Sequence, residues 1–202
     1  MNNTHRPVLL AEAVTAMIGG TSFQKESAFL IDGTFGRGGH SKALLEQIGS
    51  NCKLIAFDKD LEAISIAQKI IDPRLQIIHS SFAMMDQHVI AQSVDAVLLD
   101  LGISSPQIDT PGRGFSFRFD GPLDMRMDQR SRVSLKSLLE ETPEMDLANL
   151  IYQYGQERHS RRIARTIKNK YLQGEIQNTL QLAEAIRRAV PPKYRYGKIH
   201  PA

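Results

Sequence analysis

The chain carries a single cysteine, Cys52, no tryptophan, and aromatic side chains at only 6% of its 202 positions. One cysteine forbids an internal disulfide, so stability has to come from packing, and a reducing compartment suits it. No stretch approaches the ~18 consecutive apolar residues of a membrane span. The opening Met1-Asn2-Asn3-Thr4-His5-Arg6-Pro7 lacks the apolar segment of a secretion signal. These absences point to the cytosol and away from membranes. His79, His88 and His159 are scattered and Cys52 has no partner ligands at metal-binding spacing, so no metal centre is expected. Internal repeats and low-complexity tracts are also missing.

At 42% hydrophobic residues there is enough apolar material for a packed core. The length fits one domain with a large insertion, or two small ones. The net charge of +3 hides an asymmetry. Residues 1–112 carry 8 Lys and Arg against 12 Asp and Glu, a net of −4, and residues 113–202 carry 17 against 10, a net of +7. A basic second half suits a polyanionic partner, although a solvated basic face has the same composition.

The most informative stretch is Leu30-Ile31-Asp32-Gly33-Thr34-Phe35-Gly36-Arg37-Gly38-Gly39-His40. An apolar run from Ala28 to Ile31 leads into a glycine-rich turn, and a helical pattern follows with Ala43, Leu44, Leu45 and Ile48 on its inner face. Strand, glycine turn and helix are the parts that hold a nucleotide-like cofactor, because glycine lets the backbone approach the ligand closely. A second run, Lys53 to Phe57, ends in Asp58, twenty residues past Gly38, where such folds place the acid that grips ribose hydroxyls. The glycine spacing is not the dinucleotide G-x-G-x-x-G. That shifts the expectation from a nicotinamide enzyme to an S-adenosylmethionine (SAM) methyltransferase.

Periodicity predicts a helix over residues 7–18 with Val8, Ala11, Val14 and Ile18 inward, a strand at 28–32 and a helix at 39–48. Asp60 should cap a helix whose inner face is Ala63, Ile64, Ala67, Ile70 and Ile71. Further strands are expected at Leu75–His79 and Val94–Leu99, with a short helix near Ala83–Gln92 between them. Four apolar runs separated by helices imply a parallel sheet buried on both faces, with ligands at the carboxyl ends of its strands. Gly33, Asp58, Phe82 and Asp100 would all lie at that edge. From Gly102 the texture turns loop-like, and helices follow at about 134–140, 146–154, 157–171 and 179–190. The third carries Arg158, Arg161, Arg162, Arg165 and Lys168 at spacings of three and four, a candidate RNA-binding stripe.

Asp100-Leu-Gly-Ile-Ser-Ser-Pro-Gln107, Arg113-Gly-Phe-Ser-Phe117 and Asp120-Gly-Pro-Leu-Asp-Met-Arg-Met-Asp128 carry a family resemblance, together with His5-Arg-Pro-Val-Leu-Leu-Ala-Glu-Ala13 and the closing His200-Pro-Ala202. The chain resembles the bacterial ribosomal RNA small-subunit methyltransferase H family, which methylates the exocyclic N4 amine of a cytidine in the decoding region. The resemblance implies an α/β class I SAM-dependent methyltransferase with a Rossmann-like parallel sheet and an inserted helical substrate-recognition domain. It divides the chain into a SAM-binding part at 1–104 and an inserted RNA-recognition region at 105–200. It also implies SAM contacts from Gly38, Gly39, His40, Asp58, Phe82, Asp100 and Gln107, and small-subunit ribosomal RNA or the 30S particle as partner. Family members continue past the His-Pro-Ala motif, so the sheet is expected to be incomplete here, which puts activity in doubt.

Asp100 is the expected catalytic residue. Cytosine's amine is a poor nucleophile because its lone pair is delocalised into the ring, and an acceptor aimed at its N–H bonds localises that pair. A purely cofactor-binding role for Asp100 is the alternative. Phe115, Phe117 and Phe119 suit either base stacking or closure over the site. Two other functions stay open at this point, a non-catalytic remnant that binds SAM or RNA and a nicotinamide-dependent oxidoreductase.

Overall fold

A computed structural model describes residues 7–19, 27–195 and 200 of the chain. His5, Arg6, Pro201 and Ala202 of the terminal motifs lie outside them. The chain divides into two compact units, Met1–Ile103 with Met127–Gln129, and Ser104–Arg126 with Arg130–Ala202.

The first unit is built on a parallel sheet. Its strands are β1 (Phe29–Asp32), β2 (Lys53–Asp58), β3 (Leu75–His79) and β4 (Ala96–Leu98), in the order β3-β2-β1-β4. Ile31 stands opposite Ile55 on one side and Val97 on the other. Side chains alternate between faces along each strand. Leu30 and Leu54 pack with Val14 and Met17 of α1 (Leu10–Ile18) and with Leu44 and Leu45 of α2 (Gly39–Leu45). Ala56 meets Ala63 and Ala67 of α3 (Leu61–Ala67), while Ile31, Ile55 and Phe57 form the opposite face with Met85, Val89 and Val94. Burial of each large apolar side chain contributes about 1.5–3 kcal/mol, and β1 and β2 supply Leu30, Ile31, Leu54 and Phe57 at 0% exposure. Arg74 closes the carboxyl end of α2, donating to the carbonyls of Leu45 and Ile48 at 2.7 and 2.5 Å. Asp72 holds Arg74 in place, and that pairing lowers the Asp72 carboxyl to about 2.

The order of strands reverses after β3, because β4 returns to pair with β1. That creates a switch point between β1 and β4, where a parallel sheet opens a crevice at its carboxyl edge.

Several sequence expectations need correction. The fourth strand is shorter than Val94–Leu99, and Val97 is 46% exposed, because each edge strand pairs on one side only within the described residues. Neither β3 nor β4 is buried on both faces. Helix α1 begins at Leu10, behind a left-handed Leu9 (φ 50°), which leaves Val8 and Ala11 exposed and makes Val14 and Met17 its inner face. Helix α3 ends at Ala67, ahead of Asp72-Pro73, so Ile71 falls beyond it and is almost fully exposed. The segment after β3 is a single stretch of 3-10 helix, Phe82–Gln87.

The second unit contains α4 (Ser105–Asp109), α5 (Leu135–Glu141), α6 (Glu144–Gly155), α7 (Ser160–Leu172) and α8 (Thr179–Ala189). Ser134 and Asn178 cap α5 and α8 through their side chains, each accepting from the third backbone N–H of its helix. The core unites Leu139, Leu147, Ile163, Ile167, Ile186 and Val190. The Arg113-Gly-Phe-Ser-Phe and Asp120-Gly-Pro motifs meet here. Gly114 has φ 74°, and a Cβ on Gly114 or Gly121 would overlap the carbonyl oxygen of Pro122 or Pro111 respectively. Only glycine allows the two backbones to cross so closely. Thr179 ties the crossing to α8, donating from its N–H to the Gly121 carbonyl and from Oγ1 to the Phe119 carbonyl, both at 3.0 Å.

Candidate functional site

The carboxyl ends of β1, β2 and β4 bring together most of the residues singled out in the first half of the sequence. Asp32, the last residue of β1, is 1% exposed. Ser41 Oγ donates to its Oδ2 at 2.6 Å and the Thr34 N–H to its Oδ1 at 3.1 Å. Burial pushes the Asp32 carboxyl above its ordinary value of 3.8, with the Ser41 and Thr34 hydrogen bonds pulling the other way. Sequence reasoning gave Asp32, Thr34 and Ser41 no role. The available signal was an acid placed between an apolar strand and a glycine turn.

Asp58 grips the same turn from β2. Its Oδ2 accepts from the Gly36 N–H and its Oδ1 from the Asp60 N–H, both at 2.8 Å. The helix cap falls instead to Asp60, whose Oδ1 accepts from Glu62 N–H at 3.0 Å. A carboxylate oxygen carries two lone pairs, so Asp58 retains acceptor capacity for hydroxyls.

The glycines divide into packed and open positions. A Cβ at Gly38 would lie 2.5 Å from the Phe35 ring, and one at Gly39 would overlap Pro7. One at Gly33 would overlap Leu99 and approach the Phe82 Cβ at 3.1 Å. These three glycines therefore serve internal packing. Gly36 (φ 54°) is different, since a Cβ there meets nothing closer than the Thr34 carbonyl oxygen at 3.9 Å. Space above the turn is open at this point.

At the switch point, the Asp100 N–H donates to Thr34 Oγ1 at 2.7 Å. The Asp100 carboxylate is half-exposed and lies 4.0 Å from His40 Nδ1, while His40 itself is buried and its Nε2 has no hydrogen-bond partner among the described residues. Phe82 begins the 3-10 segment, half-buried beside Gly33. Met84, Leu99 and Leu101 are exposed apolar residues of the loops after β3 and β4. Gln107 belongs to the second unit, where its Oε1 accepts from the Ser104 N–H at 2.9 Å and so caps α4.

The expected basic stripe separates into three parts. Helix α7 starts at Ser160, so Arg158 precedes it, with its guanidinium over the Tyr194 ring at 4.1 Å. Arg165 lies 3.4 Å from Glu144 of α6, and Lys168 Nζ donates to the Leu139 carbonyl of α5 at 2.5 Å. Arg161 and Arg162 project from α7 as exposed side chains. The same unit holds an open cleft of about 620 Å³ whose lining includes Arg126, Arg132, Lys136, Glu140 and Tyr171. There Tyr171 donates to Glu140 at 2.7 Å, and burial together with that partner pushes its hydroxyl up to about 12. Among the described residues no group of three or more His, Cys, Asp or Glu could hold a metal ion. None of the described helices is long and apolar enough to cross a membrane.

With this geometry in hand, comparison with known proteins gives a consistent result. The MraW methylase family matches residues 2–202. A ribosomal RNA small subunit methyltransferase H from Polynucleobacter asymbioticus is 51% identical over 195 residues, covering 94% of this chain and 62% of that protein. The enzyme of the same name from Acinetobacter baumannii strain SDF is 48% identical over 204 residues, covering 98% of this chain and 64% of that protein. The chain thus spans a little under two-thirds of the length of these relatives. It belongs to the MraW methylase family.

The buried Asp32 should be separable from its charge. Asp32→Ala leaves the Thr34 N–H and Ser41 Oγ without their partner and should cost about 2–4 kcal/mol in urea unfolding. Asp32→Asn retains an acceptor for Thr34 and offers a donor to Ser41, so it should cost under about 1 kcal/mol at low pH. Because the folded carboxyl lies above 3.8, the folded state holds its proton longer than the unfolded chain. Wild-type stability should therefore fall relative to Asp32→Asn as pH rises from about 3.8 through the raised value. A constant difference between the two proteins across that interval would contradict the assignment.

Proposed function

We propose, with membership of the MraW methylase family as the premise, that the tips of β1, β2 and β4 hold S-adenosylmethionine and that the protein methylates the exocyclic N4 amine of a cytidine in small-subunit ribosomal RNA. The observation that carries this reading is the convergence of two carboxylates, Asp58 and Asp100, around an open Gly36 turn at the switch point of a parallel sheet.

The residues suit such a cofactor. A ribose needs acceptors, and Asp58 has lone pairs beyond those it gives Gly36 and Asp60. An adenine needs an apolar wall, which Phe82, Met84, Leu99 and Leu101 can furnish. The unpartnered His40 Nε2 is a polar atom left for a ligand or water to satisfy. Gly38 and Gly39 contribute through close packing of the turn rather than by leaving room above it. Gln107 contributes by fixing the start of α4 just after the strand-four loop.

SAM would supply a methyl group already activated on a cationic sulfur, so the protein's part is alignment and electrostatics rather than metal chemistry. In this reading Asp100 contacts SAM and accepts from the N–H bonds of the target amine, which localises the amine's lone pair and offsets positive charge as the methyl arrives. The glycine spacing, the carboxylate pair and the family membership favour this reading over nicotinamide chemistry.

The helical unit is proposed as the RNA-facing part, with the 30S particle or its RNA as partner in the cytosol. Its contact residues are Arg161 and Arg162, supported by Arg158 on Tyr194. Lys168 acts mainly inside the unit through its bond to the Leu139 carbonyl, and Arg165 is exposed beside Glu144, which neutralises part of its charge.

Transfer of labelled methyl from SAM to methyl-free small subunits tests the activity directly. Label in cytidine N4 is expected, and SAM binding without transfer would identify a binding remnant instead. In calorimetry, Asp58→Ala should weaken SAM binding by about 1.5–3 kcal/mol, and unchanged affinity would remove Asp58 from the cofactor site. Replacing Arg161 and Arg162 with Gln should lower RNA affinity and reduce the salt slope by about 2. Lys168→Gln should leave that slope unchanged. An equal effect of Lys168→Gln, or none from the pair, would point to a merely solvated basic face.

A further inference from the structure

The ladder between β1 and β4 ends where Asp32 stands opposite Leu98, and one more backbone bond follows, from the Gly33 N–H to the Leu98 carbonyl at 2.8 Å. Among the described residues no further backbone bond joins β1 to β4 beyond it. The next rung is made by a side chain, the Asp100 N–H donating to Thr34 Oγ1 at 2.7 Å. We infer that Thr34 is the positioning residue that sets Asp100 in the site, transmitting to it the rigidity of the buried Asp32–Ser41 pair.

Thr34 is itself fixed from beneath. Its N–H donates to Asp32 Oδ1 at 3.1 Å, and Asp32 Oδ2 is held by Ser41 Oγ at 2.6 Å on α2. Two buried groups thus anchor a half-buried hydroxyl, which in turn anchors an exposed strand end. Packing does little for that end, since Leu99 is 41% and Leu101 69% exposed. The Asp100 carboxylate is 51% exposed, with His40 Nδ1 no closer than 4.0 Å. Among the described residues β4 is three residues long and pairs with β1 alone, so few backbone bonds hold its end. The Thr34 hydroxyl supplies the missing constraint.

The inference rests on the proposed role of Asp100 in SAM binding, but the anchoring can be measured without any cofactor. In the full chain, Thr34→Val keeps the branched shape and removes the acceptor, whereas Thr34→Ser keeps the hydroxyl. Loss of one neutral hydrogen bond predicts that Thr34→Val speeds exchange of the Asp100 amide by about 3–10-fold in NMR. The amides of Leu30 and Leu54 should keep their rates. SAM affinity should fall by a similar factor of about 3–10 by calorimetry, with Thr34→Ser close to wild type in both. In an Asp100→Ala background, Thr34→Val should cause no further loss of affinity. Unaltered Asp100 exchange in Thr34→Val, loss shared equally by Thr34→Ser, or additive loss in the double variant would each overturn the inference. If exchange responds as expected but Asp100→Ala binds SAM normally, the anchoring by Thr34 stands and it is the cofactor role of Asp100 that fails.

Discussion

A carboxylate without access to water organises the carboxyl edge of this sheet. Asp32 would be costly to bury alone, and the Ser41 hydroxyl and Thr34 N–H offset that cost. The same bonds tie the end of β1 to the first turn of α2 and to the loop between them. Asp58 completes the grip from the neighbouring strand by holding the Gly36 N–H. An acid on either side holds the glycine turn, and a Cβ at Gly36 would meet nothing closer than 3.9 Å. Thr34 then carries the order one strand further, to Asp100. The candidate site is therefore a consequence of how one turn satisfies its own polar groups.

Much of this was legible from residue order. Apolar runs ending in Asp32 and Asp58 marked β1 and β2, and Asp60 ahead of a periodic stretch marked a helix cap that the Glu62 N–H uses. The glycine cluster marked the turn, although spacing could not distinguish glycines packed against Phe35 and Pro7 from the open one at position 36. Burial at the margins was harder to read. Val97 and Ile71 are apolar, yet one lies on an edge strand and the other beyond a helix end, and both features depend on partners elsewhere in the chain. The basic stripe shows the same limit. Spacings of three and four put five cations on one side of a helix, but only tertiary contacts with Glu144 and the Leu139 carbonyl reveal which are already engaged.

The two units solve different problems. In the first, the fully buried side chains lie on β1, β2, α1 and α2, while the loops after β3 and β4 keep apolar side chains exposed. In the second, a crossing of Gly114 and Gly121 ties a long loop to α8, and the helical core leaves arginines on its surface. The motifs that most strongly suggested the family, Arg113-Gly-Phe-Ser-Phe and Asp120-Gly-Pro, are explained first by this crossing. Their sequence is constrained by backbone approach before any contact with a substrate is considered.

The central claim is that SAM binds at the tips of β1, β2 and β4, and an NMR titration of the 202-residue chain with SAM tests it most directly. The account predicts amide shifts concentrated at residues 33–40, 58–60, 82–84 and 99–101, with the basic cleft lined by Arg132 and Lys136 unaffected. Shifts centred on that cleft, or none at saturating SAM, would contradict it.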